Sequence, residues 1–322
     1  MKKIAVFTSG GDAPGMNACV RAVVRTTLRR GYEAVGIFRG YQGMIEGDFW
    51  AMEAHSVSNI IQLGGTILRS ARSQDFRTPE GRAKAYANLR ANDIDGIVAI
   101  GGDGSFTGAR IFMEEYPDIH MVGCPGTIDN DLYGTDYTIG YDTAINTAMN
   151  AIDNIKDTAN AHDRLFFVEV MGRDAGFIAM NVGIATGAEA VLVPESKTDV
   201  QTLIDTLNSN YSNKKNSSIV VVAEGDESGG AFKLAEEVKK HCPYETKVTI
   251  LGHLQRGGRP TCMDRVRSSR MGVAAVNALL EGKSGVMIGE INGEIVHTPF
   301  EQAIKYHNEI NPMLLEMVDI LS

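Results

Sequence analysis

Positive charge is scarce in this chain: 31 lysines and arginines face 40 aspartates and glutamates, for a net charge of −9. A general basic surface for nucleic acid is thereby excluded. Any anionic ligand must meet cations gathered locally. Cysteine is sparse as well. Cys19, Cys124, Cys242 and Cys262 lie far apart and form no CxxC pair, which argues against a zinc site and against a disulfide framework. No apolar run is long enough to span a membrane, and the amino-terminal one stops at Gly10, too short for a signal peptide. The expected protein is soluble and cytoplasmic. Proline-rich linkers, internal repeats, coiled-coil heptads and low-complexity tracts are missing too. The chain is therefore expected to pass between its domains more than once.

Glycine, in contrast, is abundant. The 35 glycines exceed the roughly 23 that an average usage of about 7% would give, and most stand in short clusters after apolar runs. Apolar residues make up 43% of 322, enough for a full core in two ordinary domains. Short β-branched runs predict buried strands over Ile4–Thr8, Ala34–Phe38, Ile97–Ile100, His120–Val122, Leu165–Val170, Ala190–Val193, Ile219–Ala223 and Val248–Leu251. Helical stretches are predicted between them over Asn17–Arg30, Pro79–Ala91, Ser105–Glu115, Tyr141–Ala161, Val200–Tyr211, Ala231–His241 and Met263–Glu281. The alternation predicts an α/β fold with parallel sheets covered on both faces. The expected domains are residues 1–140 with about 257–305, and 141–256 with about 306–322.

In open parallel sheets, ligands bind beyond the carboxyl ends of the strands, and there the glycines and aspartates collect. The first strand runs into Thr8-Ser9-Gly10-Gly11-Asp12-Ala13-Pro14-Gly15-Met16-Asn17. Paired glycines let backbone N–H groups approach a ligand, and the helix that follows adds partial positive charge, which suits a phosphate. Neither GxGxxG nor the Walker P-loop pattern is present, and alone the loop reads equally well as a tight strand–helix turn. Ile100-Gly101-Gly102-Asp103-Gly104-Ser105 offers a second cradle, with Ser105 as an N-cap-type residue. Asp103 is placed there to reach Mg2+, which keeps waters and takes one or two carboxylates. In Pro125-Gly126-Thr127-Ile128-Asp129-Asn130-Asp131, alternation along an extended segment puts Thr127, Asp129 and Asp131 on one face. One carboxylate can then accept the proton of an attacking hydroxyl while another steadies the metal side. A calcium loop does not fit, because its fifth position is Tyr133 and its twelfth Gly140. A solvated acidic turn is the plainer alternative.

Cations stand where phosphates need them. Arg72 ends Arg69-Ser70-Ala71-Arg72, Arg164 starts a strand, and Arg173 follows Met171-Gly172 at the end of that strand. His253 and Arg256 belong to Gly252-His253-Leu254-Gln255-Arg256-Gly257-Gly258, beyond another strand. Any one arginine reads as solvated surface, and His253 alone as a hydrogen-bonded turn histidine. Several together in so acidic a chain point to clustered anion recognition.

Taken in order, these segments resemble the bacterial-type ATP-dependent 6-phosphofructokinases. The resemblance rests on Ser9 to Asn17, Gly101 to Ser105, Pro125 to Asp131, Glu169-Val170-Met171-Gly172-Arg173 and Gly252 to Gly258, and it covers essentially the whole chain. It implies two Rossmann-like three-layer domains with mainly parallel sheets, the first for ATP and the second for fructose 6-phosphate, with the active site in the cleft between them. It further implies that Gly11, Gly102, Asp103, Gly104 and Ser105 hold ATP and Mg2+, with Arg72 and Ser73 nearby. Asp129 is implied as base for the sugar 1-hydroxyl, positioned by Thr127 beside Ile128, with Arg173 and Arg72 stabilising the transferred phosphoryl group. Met171, Gly172, Glu224, His253, Leu254, Gln255 and Arg256 would grip the sugar phosphate. Arg164 and Lys247 would reach it from a neighbouring subunit of a homotetramer. Glycine at both 104 and 126 implies ATP as donor, since pyrophosphate-using relatives carry aspartate and lysine there.

Departures from the family gather at the regulatory site, which it builds for a nucleoside diphosphate or phosphoenolpyruvate. Arg21, Arg25, Gly187, Ala188, Glu189 and Lys215 match, and Arg21 and Arg25 share one helix face. Expected arginines are replaced by Ala54 and Lys156, and an often basic position is Asn213. Lys247 likewise stands for an arginine, a point charge in place of a fork. Weak effector responses are expected. Two rivals share part of the pattern. A kinase of the GGDG type acting on NAD or a lipid head group leaves the segments at 127–131 and 253–256 unexplained, and a phosphate-sensing binding protein would show no turnover.

Overall fold

The structure is a computed structural model and describes residues 2–160, 164–197, 199–213, 218–227 and 229–321. In chain order its strands are β1 (Lys3–Thr8), β2 (Glu33–Ile37), β3 (Phe49–Met52), β4 (Ile94–Gly101), β5 (His120–Pro125), β6 (Arg164–Val170), β7 (Ala190–Leu192), β8 (Ser218–Ala223), β9 (Glu245–Ile250), β10 (Val286–Ile291) and β11 (Glu294–Pro299). Its helices are α1 (Met16–Arg29), α2 (Tyr41–Glu46), α3 (Pro79–Ala91), α4 (Asp103–Glu115), α5 (Tyr141–Asn160), α6 (Phe177–Thr186), α7 (Val200–Ser212), α8 (Ala231–Val238), α9 (Cys262–Leu280), α10 (Phe300–Lys305) and α11 (Pro312–Leu321). The chain forms two compact units, one of 1–128, 132–143 and 256–308, the other of 129–131, 144–255 and 309–322. Compared with the expected segments, residues 129–131 go with the second unit, and the crossings fall after 143, 255 and 308. None of the helices among the described residues is long and apolar enough to cross a membrane.

The first unit is built on a seven-stranded sheet of order β11-β10-β5-β4-β1-β2-β3. Its inner ladders are parallel, while β3 and β11 pair antiparallel at the two edges. Strand alternation divides the residues of β1. Ala5 and Phe7 face a core with Tyr41, Leu89, Phe106, Phe112 and Phe300, contributed by α2, α3, α4 and α10, and with Phe76 from the short turn before α3. On the other face α1 packs against α9. The second unit has a four-stranded parallel sheet, β7-β8-β6-β9. Leu165 and Phe167 of β6 and Val220 and Val222 of β8 meet α7 and α8 there through Leu207, Leu234 and Val238.

Several elements escape the periodicity. The β10–β11 hairpin turns at Asn292-Gly293, both with positive φ, and Ile291 pairs with Glu294 across a two-residue loop. That dipeptide is a hairpin signal that the strand search passes over. Helix α6, of sequence FIAMNVGIAT, is apolar nearly all round, so it shows no amphipathic period. Helices α2 and α10 span only six residues each, too few for a periodic pattern.

In the first unit, Asp264 on α9 anchors the beginning of α5. Its carboxylate accepts the backbone N–H groups of Gly140 (2.9 Å) and Thr143 (2.8 Å) and the Thr143 hydroxyl. Thr261, the N-cap of α9, donates its hydroxyl to Asp142 and its N–H to the Thr143 hydroxyl. Burial outweighs these hydrogen bonds and pushes the Asp264 carboxyl up to about 6. Its folded value lies above the unfolded one, so stability from this group is full below about pH 4 and falls as pH rises through about 6. The stability gap between wild type and Asp264→Asn, measured from denaturant midpoints, is therefore expected to be largest near pH 4. It should shrink by up to about 3 kcal/mol by pH 7. A pH-independent gap would place the carboxyl at its ordinary value.

Candidate active site

Three glycine loops leave the carboxyl ends of β1, β4 and β5, which are neighbours in the first unit's sheet. The strand order reverses between β1 and β4, the kind of place where open α/β sheets bind ligands. Backbone bonds stitch the loops together: Ser9 N–H donates to Ile100 C=O and Gly126 N–H to Gly101 C=O, both at 2.9 Å. Gly126 bridges Ile139, and the Thr138 hydroxyl donates to Thr127 C=O at 2.6 Å. Asn17, in the first turn of α1, donates to Leu63 C=O and Gly64 C=O and accepts from Ile67 N–H, which fixes a fourth loop beside them. Asn17 closes the first glycine segment, and the structure gives its buried amide this tie to the fourth loop.

Close approach requires glycine at 101, beside Ser105 and the Ser9 carbonyl, whereas Gly11 faces only the movable end of Arg256. A Cβ on Gly11 would stand 2.6 Å from Arg256 Nη1, and Arg256 also lies 3.4 Å from Asp12 C=O. Arg256, expected among the sugar ligands, is thus placed against the first glycine loop. A Cβ on Gly101 would meet the Ser105 hydroxyl at 2.3 Å, but one on Gly104 would meet nothing within 4 Å. Helix α4 begins at Asp103 with Gly102 as N-cap, so Ser105 is a buried first-turn residue and not the cap. Asp103, half-buried beside that open space, offers a hard carboxylate of the kind a phosphate-bound Mg2+ takes. Arg72 is exposed, and the Ser73 hydroxyl donates to Gln42 Oε1 and accepts from Phe76 N–H, which starts the short turn after it.

In the second unit the reactive groups gather past the ends of β6 and β8. Asp129 is buried, and its Oδ2 lies 3.6 Å from Arg173 Nε. The backbone reaches this arrangement through constrained positions. Asn130 (φ 57°) and Arg173 (φ 53°) are both left-handed, a region that asparagine tolerates and arginine seldom adopts. Arg173 is kept there by its N–H donating to Glu224 Oε1 at 2.9 Å, and by Gly225, whose missing Cβ leaves room for Arg173 C=O. The turn at 128–131 also corrects an expectation. Residues 128 and 129 form a bend, so strict alternation does not place Thr127, Asp129 and Asp131 on one face.

Gln255 is fully buried, with its amide accepting from Met171 N–H (3.3 Å) and donating to Gly252 C=O (3.1 Å). It ties the end of β6 to the next loop, and its side chain is not presented to a ligand. Ile128 is likewise fully buried, Met171 is buried, and His253 and Leu254 are exposed. Arg164 and Lys247 lie elsewhere on the same sheet, toward the amino ends of β6 and β9, and both pair with Glu245. The residues expected at a regulatory site divide between the units. In the first, Arg25 donates to Ala54 C=O at 3.4 Å, with Arg21 one turn earlier on α1. In the second, Lys156 donates to Thr186 C=O and Gly187 C=O at the carboxyl end of α6, and Glu189 accepts from the Asn210 amide at 2.8 Å. Ala188 is buried and Asn213 caps α7. Lys215 lies outside the described residues.

The phosphofructokinase family model matches residues 3–279. The chain belongs to the phosphofructokinase family. It is 56% identical, over the full length of both chains, to ATP-dependent 6-phosphofructokinase 1 of Thermus thermophilus. It is 54% identical to ATP-dependent 6-phosphofructokinase 2 of Bacteroides thetaiotaomicron, over 100% of this chain and 99% of that one. Among solved structures, phosphofructokinase from Saccharomyces cerevisiae superposes with a TM-score of 0.90 and 38% identity over 95% of this chain, which spans 45% of the yeast chain. A pyrophosphate-dependent phosphofructokinase from Marinobacter aquaeolei superposes with a TM-score of 0.86 at 22% identity, over 97% and 86% of the two chains, and shows the shared fold.

Among the candidate residues, Arg173 holds the most demanding backbone position. A Cβ on Gly225 would sit 1.9 Å from Arg173 C=O, which is backbone and cannot swing aside. Gly225→Ala is therefore expected to displace Arg173 and lower kcat on the order of 10²-fold, the scale set by a misplacement of about 1 Å. The thermal unfolding midpoint should move by less than about 5 °C. Turnover within threefold of wild type would show that the Arg173 backbone tolerates displacement.

Proposed function

We propose that this phosphofructokinase transfers the γ-phosphoryl group of ATP to the 1-hydroxyl of fructose 6-phosphate, giving fructose 1,6-bisphosphate and ADP. The observation that carries the reading is the buried Asp129 carboxylate 3.6 Å from the Arg173 guanidinium, held by left-handed backbone on both sides of the contact. The names of the full-length relatives support it. Asp129 takes the proton of the 1-hydroxyl as its oxygen attacks phosphorus. The new O–P bond forms while the bond to the β-phosphate oxygen breaks, and ADP leaves. Arg173 and Arg72 neutralise charge on the transferred group, because positioning and electrostatics dominate this chemistry. The glycine loops at Gly11 and Gly102–Ser105 cradle the triphosphate with backbone N–H groups. Mg2+ bound with the nucleotide supplies further neutralisation, and Asp103 is the residue that would hold it.

The sugar is held by Thr127, by the backbone of Met171 and Gly172, and by Glu224 and His253, with Arg256 nearer the nucleotide loops. Arg164 belongs to a second subunit's share of each site. Six strand steps separate it from Val170, roughly 20 Å at about 3.3 Å per step. Arg164 therefore cannot grip the same small sugar as Met171 and Glu224 of its own chain, and Lys247, paired to the same acid, goes with it. A site shared between two subunits follows from this reading, in keeping with the homotetramer that the resemblance implies. So does weak regulation by a nucleoside diphosphate or phosphoenolpyruvate, since Lys156 is engaged at the end of α6 and Ala54 offers only its carbonyl.

Two measurements test the proposal. Asp129→Ser should lower kcat by about 10²–10⁴-fold with half-saturating ATP changed less than about threefold, and a variant keeping a tenth of wild-type kcat would remove Asp129 from the role of base. Gly104→Asp should raise half-saturating ATP about tenfold or more, because a carboxylate there meets the nucleotide phosphates. Nothing in the protein resists that side chain, and an acid in the first turn of α4 favours the helix, so the thermal midpoint should hold or rise. Gly126→Lys is the poorer probe, since its Cβ already meets Ile100 and Gly101 N at 3.1 and 3.2 Å. Unchanged kinetics for ATP in Gly104→Asp would place the nucleotide elsewhere.

A further inference from the structure

Arg164 and Lys247 share one carboxylate. Arg164 opens β6, Glu245 opens β9 as its register partner, and Lys247, two residues on, points to the same face as Glu245. Glu245 Oε2 accepts from Arg164 Nε at 2.8 Å, and Oε1 lies 2.7 Å from Lys247 Nζ. Hydrogen bonds from Lys247 and then Arg164 hold the Glu245 carboxyl down to about 2, so it is an anion throughout the neutral range. The triad is open to water, with Glu245 52% and Lys247 44% exposed. Pairs so exposed contribute little to stability, and Glu245 caps no helix. A structural duty does not account for an acid between two cations that would be strongest without it. Arg164 makes this contact through Nε, and among the described residues its two terminal nitrogens make no hydrogen bond.

We propose that Glu245 is a resident competitor of the sugar phosphate: it holds Arg164 and Lys247 side by side and lowers their grip on any incoming phosphate dianion. The proposal rests on the reading of these two cations as phosphate ligands for the sugar site of a neighbouring subunit. With Glu245 in place the patch carries one net positive charge and not two. Inorganic phosphate, which brings only its charge, is then a poor occupant. Fructose 6-phosphate gains the hydroxyl contacts of the other subunit and still binds. Glu245 thus sets the affinity of this patch for any phosphate dianion, and leaves free phosphate, which lacks the hydroxyl contacts, too weakly held to occupy it.

The test measures half-saturating fructose 6-phosphate, half-saturating ATP and inhibition by inorganic phosphate in wild type, Glu245→Gln and Arg164→Ala. Glutamine keeps the size of the side chain and removes its charge. In Glu245→Gln, half-saturating fructose 6-phosphate is expected to fall roughly fivefold, the effect of one unit charge a few ångströms away in a water-exposed setting. The inhibition constant for inorganic phosphate should fall by a similar factor while half-saturating ATP stays the same. A merely structural residue would not tighten binding when altered. An unchanged or raised value for fructose 6-phosphate in Glu245→Gln, with a raised value in Arg164→Ala, overturns the role of Glu245 alone. An unchanged value in Arg164→Ala overturns the assignment of these cations to the sugar phosphate, and the competitor role with it.

Discussion

The carboxylate of Asp264 is the constraint on which the first unit's architecture turns. The chain leaves that unit along α5 and returns to it at Arg256, just before α9. Asp264 binds the first N–H groups of α5 from the first turn of α9, and Thr261 and Thr143 reciprocate. The departing and returning segments are thereby registered to each other by a few hydrogen bonds. Burial makes the carboxylate costly to keep ionised, but the donors around it would be costlier left without an acceptor. Arg256, which lies against Gly11, stands only eight residues before Asp264. Its position over the glycine loop follows from where α9 must begin.

In the second unit a constrained backbone places the partner of a buried carboxylate. Arg173 occupies a left-handed conformation that costs an ordinary residue on the order of 1 kcal/mol. Two neighbours on the strand-end loop of β8 stabilise it, Glu224 through its carboxylate and Gly225 through the absence of a side chain. The gain is direction: the guanidinium reaches Asp129. Strain of this kind is found where function over-determines a conformation.

Charge is handled economically in so acidic a protein. Several cations of the candidate sites already have acceptors in their own chain. Arg173 meets Asp129, Arg164 and Lys247 meet Glu245, Arg256 approaches the Asp12 carbonyl, Arg25 the Ala54 carbonyl, and Lys156 the end of α6. A phosphate drawn to any of these six cations would have to outcompete a resident partner, which favours ligands bound through several groups at once. Affinity is then set by the difference between two occupied states and not by the cation count.

Much of this was legible in the residues because the physics behind it is local. Buried parallel strands read as β-branched runs, and glycines beside aspartates at their carboxyl ends marked the loops that matter, since only short-range backbone geometry makes glycine necessary there. The family was legible from the spacing of those loops. Other features were not. Helix α6 is wrapped in apolar neighbours, so its sequence carries no period, and only packing decides that it is a helix. The bend at 128–129 overrode the strand alternation expected of Thr127, Asp129 and Asp131, because Asn130 turns left-handed where the chain changes units. Gln255 and Arg256 stand side by side in a loop rich in polar residues, yet one is buried as a tie and the other reaches the glycine loop. The sequence by itself determined the residue types, their order and the loops they occupy, as chemistry and local backbone preference dictate. Only the tertiary structure decided which acid each cation meets and which amide is buried, since those pairings join residues as far apart as Arg164 and Glu245 and arise from strand register and helix packing.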